Sequence, residues 1–151
     1  MTDNPHFASI EGWADAEALI GFPPLQPSDT AGFMLDSLRV HVMDYRLRQL
    51  PPEERTLEAH YGGFVFTQSG PGREEARRLA CDQSYGAEPK TATVGPHEAR
   101  AYEAGPVPEP DDPAGQMPPI VAWADGDRFL FMAGVELELP ALLRIAGSIY
   151  S

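Results

Sequence analysis

The stretch Ile120-Val121-Ala122-Trp123-Ala124-Asp125-Gly126-Asp127-Arg128-Phe129-Leu130-Phe131-Met132-Ala133 decides the fold. Two apolar runs flank its centre, and the Asp-Gly pair there supplies the positive φ that a tight hairpin turn requires. Because successive side chains of a strand point to opposite faces, Val121 and Trp123 are expected on one face and Ile120 on the other. The stretch therefore predicts a β-hairpin.

Amphipathic helices are predicted near both ends of the chain. The first has Ser9 or Asp15 as its candidate cap, and Gly21 followed by the apolar Phe22 is typical of a helix end. The last has Pro140 in its first turn, a position that proline favours. Apolar residues recur at helical spacing in both, namely Trp13, Ala16, Leu19 and Ile20 in the first and Leu142, Ile145, Ala146 and Ile149 in the last.

Further strands are predicted from short runs of alternating or β-rich residues. They cover residues 38–43, 56–61, 64–68, 90–94 and 97–104, and Tyr45 and Leu47 are candidates to extend the first of them. Residues 73–82 are predicted as a short helix, with a surface loop as the alternative. Residues 105–119 hold six prolines and three acidic residues and are predicted as a long surface loop between two strands.

Together these elements predict an α+β fold. We expect an antiparallel sheet of about five to seven strands, with the N-terminal and C-terminal helices packed on one face. The length of 151 residues fits a single domain, residues 1–151, in which 105–119 form the long loop rich in proline and acidic residues.

The composition excludes several classes of protein. The chain has 23 acidic and 11 basic residues, a formal charge of −12, whereas a nucleic-acid-binding protein needs a basic surface. Its single cysteine excludes an intrachain disulfide, a CxxC redox pair and a thiolate-rich zinc site. The sequence shows no secretory signal and no apolar stretch of about 18 residues, so a cytoplasmic protein without a membrane span is expected.

Catalytic and metal-binding patterns are not found in the sequence. The histidines form no local metal-binding spacing, and no P-loop, GxGxxG or GxSxG motif occurs, so no cofactor is expected. The residues in question are His6, His41, His60 and His97. Cys81 is the only thiol, and a lone cysteine on an apolar stripe is usually a small buried hydrophobe. An enzyme that pairs Cys81 with a histidine is therefore only a third hypothesis.

Four short motifs carry a resemblance to a known family. They are DAEALIGF at residues 15–22, TVGPHEAR at 93–100, VAWADGDRF at 121–129 and LELPALLRIAGSI at 137–149. In this order they resemble a bacterial domain family of unknown function, whose members commonly form the extracytoplasmic C-terminal part of anti-sigma-factor-like or lipoprotein-like membrane proteins. The resemblance implies a similar fold and no catalytic residues. No membrane anchor or sigma-binding region is recognised in the sequence, which leaves a sigma-regulatory role open.

The leading functional hypothesis is a non-enzymatic binding or regulatory domain that acts through protein–protein contacts, made by a sheet face or by the 105–119 loop. Residues 101–151 carry eight acidic and two basic residues, so a partner with a basic surface is expected, with charge kept for solubility as the alternative. The alternative function is a small apolar-ligand or lipid carrier that uses an aromatic-lined sheet face. The candidate face for a ligand or partner consists of the aromatic residues Phe64, Phe66, Trp123, Phe129 and Phe131.

Overall fold

The computed structural model describes residues 4–70, 89–106 and 116–151, with only the backbone described at 106, 116 and 117. These residues form two helices, α1 (Trp13–Ile20) and α2 (Leu139–Gly147), and two 3₁₀ turns at Pro52–Glu54 and Ser148–Tyr150. The strands in them are β1 (Phe7–Ile10), β2 (Leu35–His41), β3 (Thr56–Tyr61), β4 (Phe64–Ser69), β5 (Lys90–Val94), β6 (His97–Tyr102), β7 (Gly105–Pro106), β8 (Gln116–Met117), β9 (Ile120–Asp125) and β10 (Arg128–Gly134).

Eight of these strands form one antiparallel sheet in the order β1-β2-β3-β4-β10-β9-β6-β5. The predicted hairpin β9–β10 lies between β4 and β6, and its turn residue Gly126 has a φ of +61°. The hairpin is therefore confirmed, and so is the broad α+β class. The count of eight strands differs from the predicted five to seven.

The first strand accounts for that difference, because the other seven strands of the sheet correspond to predicted ones. Strand β1 has four residues and pairs at the sheet edge with β2, from Phe7 opposite His41 to Ile10 opposite Leu38. Four residues give too short an alternation to distinguish a strand from a loop. The predicted extension of β2 through Tyr45 and Leu47 is wrong, since β2 ends at His41 and both residues lie in a turn.

Helix α1 ends as predicted but begins differently. Gly21 has a φ of +79° and its N–H donates to the carbonyl of Glu17 at 2.9 Å, while Arg55 Nη1 donates to the Leu19 carbonyl at 2.9 Å. At the other end Gly12 occupies the cap position in an extended conformation, and no side chain caps the helix. The prediction that Ser9 or Asp15 caps α1 is therefore wrong.

The two helices cover different parts of the sheet. Helix α1 contacts β1, β2 and β3, whereas α2 contacts β5, β9 and β10, so the two helices lie over different strands and their placement differs from the predicted one. Both contribute to the same buried cluster, through Ile20 of α1 and Leu142 of α2. The connection from α1 to β2 is tied to the 3₁₀ turn that follows α2, because Ser28 Oγ donates to the Ser148 carbonyl at 2.7 Å.

The same connection is tied to the sheet by a buried glutamine. Gln68 of β4 is fully buried, and its side-chain amide accepts from the N–H of Leu25 at 2.8 Å and donates to the Leu25 carbonyl at 2.9 Å. Further along, Gly63 lies against the ring of Phe33, so close that a Cβ there would come within 2.3 Å of the ring. These contacts tie the connection to β4 and to the turn between β3 and β4.

Two predicted elements fall largely or wholly outside the described residues. The helix predicted at 73–82 lies outside them, as does the middle of the 105–119 loop. At the two ends of that loop, β7 and β8 pair with each other, Gly105 opposite Met117.

Candidate functional site

The predicted aromatic face is divided between the two sides of the sheet. Phe64 and Phe66 are fully buried in the inner face, where the ring of Trp123 stacks on Phe66 with the centroids 6.3 Å apart. Phe129 and Phe131 lie on the opposite side and belong to a second, smaller apolar cluster. The five residues therefore do not share one face, and the carrier hypothesis stays a prediction.

The hypothesis of an enzyme that pairs Cys81 with a histidine stays a prediction. Cys81 lies outside the described residues. His60 Nε2 lies 3.0 Å from Glu58 Oε1 in β3, and His97 Nε2 lies 3.5 Å from Asp125 Oδ2 of the neighbouring strand β9. His6 and His41 stand closer, with ring centroids 6.4 Å apart. Over 4–70, 89–106 and 116–151, no three His, Cys, Asp or Glu side chains form a group that could hold a metal ion.

The C-terminal turn closes on the hairpin through hydrogen-bonded side chains, called here the Tyr150 closure (Trp123, Asp125 and Tyr150). The hydroxyl of Tyr150 accepts from Trp123 Nε1 at 2.9 Å and donates to Asp125 Oδ2 at 2.9 Å. Burial raises the pKa of Tyr150 to about 12, and the hydrogen bond to Asp125 acts in the same direction. Gly95, with a φ of +56°, lies against the Tyr150 side chain, where a Cβ would come within 2.7 Å.

Both hydrogen-bonding roles of the Tyr150 hydroxyl are thus used inside the protein. Trp123 is only 3% exposed, so its indole N–H has no access to bulk water and depends on this bond. The arrangement satisfies buried polar groups and fixes the chain end, which is a structural role.

The turn that follows β2 contrasts with this closure and is called here the Asp44–Arg48 turn. Asp44 Oδ1 accepts from the backbone N–H groups of Arg46 at 2.9 Å and Arg48 at 3.0 Å, and Oδ2 accepts from Arg48 Nε at 3.0 Å. The backbone N–H of Asp44 donates to the Arg48 carbonyl at 2.9 Å. The N–H of Arg48 is the main cause that lowers the pKa of Asp44 below its ordinary value. The ionised carboxylate of Asp44 therefore stabilises the turn through hydrogen bonds to Arg46 and Arg48.

This turn carries large apolar side chains in solvent. Tyr45 is 80% exposed and Leu47 is 60% exposed, although the backbone N–H groups of Arg46, Leu47 and Arg48 all donate to Asp44. Leu47 has a φ of +61°, a left-handed conformation that costs a residue with a Cβ about 1–2 kcal/mol. Non-glycine residues held in this region cluster at functional sites. The side chains of Tyr45 and Leu47 therefore extend into solvent from a backbone that hydrogen bonds hold in one conformation.

A cavity of about 550 Å³ lies beside the turn and is called here the His6–Tyr45 cavity. Its lining is formed by His6, Phe7, His41, Asp44, Tyr45 and Leu50. Ligand pockets in proteins measure about 300–1,000 Å³, so this space could hold one large side chain or a small ligand. His6 Nδ1 donates to the Met43 carbonyl at 3.1 Å, which ties the N-terminal segment to the turn.

Charge also distinguishes this end of the sheet. Residues 39–50 include three arginines and one aspartate, a formal +2 in a chain of −12. Arg39 lies over the ring of Phe7 at 3.8 Å and pairs with Glu58 at 2.9 Å, whereas the Arg46 guanidinium contacts the Tyr45 ring at 5.3 Å. The apolar side chains are thus flanked by cations.

The sequence contains one signal that could have revealed this turn. An aspartate that opens a polar segment often bonds to backbone N–H groups two or more residues on, and Asp44 does so. The alternation of Tyr45 and Leu47 with Arg46 and Arg48 has strand periodicity and gave the wrong prediction.

Comparison with known proteins finds no match among family models, curated proteins or solved structures. The resemblance to the bacterial family of unknown function therefore stays a prediction. In the part of the chain that the structure describes, no helix has the length and apolar character needed to cross a bilayer.

Proposed function

We propose that this chain is a non-enzymatic binding domain that acts through protein–protein contacts made by the Asp44–Arg48 turn. The observation that carries the proposal is the exposure of Tyr45 and Leu47 on a backbone that Asp44 holds fixed. Tyrosine and arginine are the residues that most often dominate binding energy at protein interfaces, and a preordered turn loses little conformational entropy on binding.

The wider surface bears on the charge of the partner. Beyond the turn, exposed acidic side chains prevail along α1 and the neighbouring 3₁₀ turn, namely Glu11, Asp15, Glu17 and Glu53. A protein large enough to reach past the turn would meet this acidic surface and the field of a chain at −12. We therefore expect the partner to have a basic surface around the segment that contacts the turn.

The test is capture of partners from cells of the source organism with two versions of the purified chain. The first is the natural chain and the second carries Tyr45→Ser and Leu47→Ser. We expect one or more proteins, identified by mass spectrometry, to be retained by the first and lost with the second. Each is then purified and its binding to both chains is measured by calorimetry.

A matched control separates the turn from exposed apolar surface in general. Met34 is 81% exposed in a different loop, so Met34→Ser should keep every partner that the natural chain binds. Binding that ignores both turn substitutions, or a saturable turnover abolished by one point mutation elsewhere, would contradict the proposal.

A further inference from the structure

The Asp44–Arg48 turn and the His6–Tyr45 cavity together specify a kind of ligand. Phe7, Tyr45 and Leu50 give the cavity apolar walls, while Arg46 stands at the turn and forms no ion pair with a carboxylate among the described residues. The cavity thus suits a large apolar side chain, and the cation beside it suits a carboxylate.

The negative charge of Asp44 repels a carboxylate of the ligand less strongly than a free aspartate would. Both of its oxygens accept hydrogen bonds from within the turn, and Arg48 Nε is one of the donors. The charge of Asp44 is therefore offset by Arg48, and that of Arg39 by Glu58, so among the described residues Arg46 is the cation of the site that no carboxylate pairs with. An approaching anion meets net positive charge here and net negative charge elsewhere.

We propose that this site binds a short acidic peptide segment of a partner protein, with one large apolar side chain seated in the His6–Tyr45 cavity and a neighbouring carboxylate paired with Arg46. The inference rests on the proposed function and adds the chemistry of the segment. The segment is acidic only locally, so it is compatible with a partner whose wider surface is basic.

Size and charge favour a peptide over the other occupants. A sheet of anionic lipid would extend past the turn and face the remaining residues, which carry a formal −14, and a lipid surface would leave the concave cavity unfilled. A second copy of the chain brings another −12 and is repelled at low salt. A peptide a few residues long stays within the cationic end.

The experiment is a selection from a random peptide display library on the immobilised full chain, followed by anisotropy titrations of the enriched peptides. We expect enriched sequences to pair Asp or Glu with Leu, Phe or Trp, and their affinity to fall as NaCl is raised from about 0.05 to 0.5 M. Binding to vesicles of phosphatidylcholine with phosphatidylserine tests a lipid surface as the occupant. Native mass spectrometry of the peptide-free chain tests a second copy of the chain.

Two variants test the assigned roles without threatening the fold. Arg46→Glu reverses the cation, and Leu47→Gly removes an anchor at a position whose φ of +61° suits glycine. Each is expected to weaken the selected peptide by about tenfold or more, whereas Met34→Ser leaves its affinity unchanged.

The outcomes distinguish this inference from the proposed function. Enriched peptides that need Tyr45 and Leu47 but are basic or uncharged would overturn the acidic segment and leave the binding role standing. Binding to phosphatidylserine vesicles or self-association, lost in Leu47→Gly and without peptide enrichment, would also overturn the segment. If neither peptides nor cellular partners depend on the turn, both proposals fail.

Discussion

The Tyr150 closure and the Asp44–Arg48 turn use the same pair of residue types in opposite ways. In the closure, Asp125 accepts a hydrogen bond from the Tyr150 hydroxyl, which itself accepts one from the buried Trp123. In the turn, the Asp44 carboxylate accepts from groups of Arg46 and Arg48, and Tyr45 stays 80% exposed. The first arrangement directs the tyrosine into the fold and stabilises it. The second stabilises a backbone and leaves the tyrosine for another molecule.

The largest contrast should come from removing one aromatic ring in each region. Trp123→Ala removes a 3%-exposed ring that stacks on Phe66, and we expect the free energy of unfolding to fall by about 3–5 kcal/mol. Tyr45→Ala should change it by less than about 0.5 kcal/mol, because the ring contacts mainly solvent. Urea unfolding followed by circular dichroism measures both. Equal losses would show that the turn is part of the core.

A smaller effect should follow from removing one oxygen atom of the closure. Tyr150→Phe leaves the indole N–H of Trp123 without its acceptor and removes the hydroxyl that donates to Asp125, so we expect a loss of about 1–3 kcal/mol in the free energy of unfolding. Tyr45→Phe is the matched control in the turn and should have no measurable effect. An unchanged stability for Tyr150→Phe would mean that the hydrogen bonds do not contribute to the closure.

The stability of the protein should also depend on pH through the Tyr150 hydroxyl of the closure. The pKa of Tyr150 is raised from 10.0 to about 12 in the folded chain, so the folded state holds this proton more tightly than the unfolded state. The resulting stabilisation is complete below pH 10 and is lost as the pH rises toward about 12. Burial raises the pKa of Tyr61 as well, so the decline should be shallower, but not absent, in Tyr150→Phe. A decline of the same depth in natural chain and variant would contradict the assignment.

The smallest effect on stability is expected from the strained residue of the turn. Leu47→Gly relieves a φ of +61° but makes the unfolded chain more flexible, so the free energy of unfolding should stay unchanged or rise by up to about 1 kcal/mol. Thermal and urea unfolding of the variant measure the change. A clear loss of stability would show that the Leu47 side chain packs on the protein, contrary to its exposure.

The hairpin could be predicted because its information is local. Asp125-Gly126 fixes the turn, and the apolar runs on either side fix which residues face the core. Gly21 at the end of α1 was recognisable for the same reason, since one residue with a positive φ identifies a helix end. In both places a glycine with a positive φ carries the information within the turn itself.

Other features depended on contacts distant in sequence or on local bonds that a periodic pattern hides. Gln68 is buried because it pairs with Leu25, 43 residues away, and no periodicity reports such a bond. The candidate site was missed because Tyr45 and Leu47 alternate with arginines as strand residues do, while the bonds of Asp44 decide the conformation. The cavity could not be foreseen, since it also needs β1 to bring His6 and Phe7 beside the turn.

The most direct test of this account compares affinity and stability in one pair of proteins. The dissociation constant of a captured partner and the free energy of unfolding are measured for the natural chain and for Tyr45→Ser with Leu47→Ser. We predict that the double variant binds at least about tenfold more weakly, while its free energy of unfolding differs by less than about 1 kcal/mol. An unchanged affinity, or a weaker affinity that appears only with a matching loss of stability, would contradict a binding role for the Asp44–Arg48 turn.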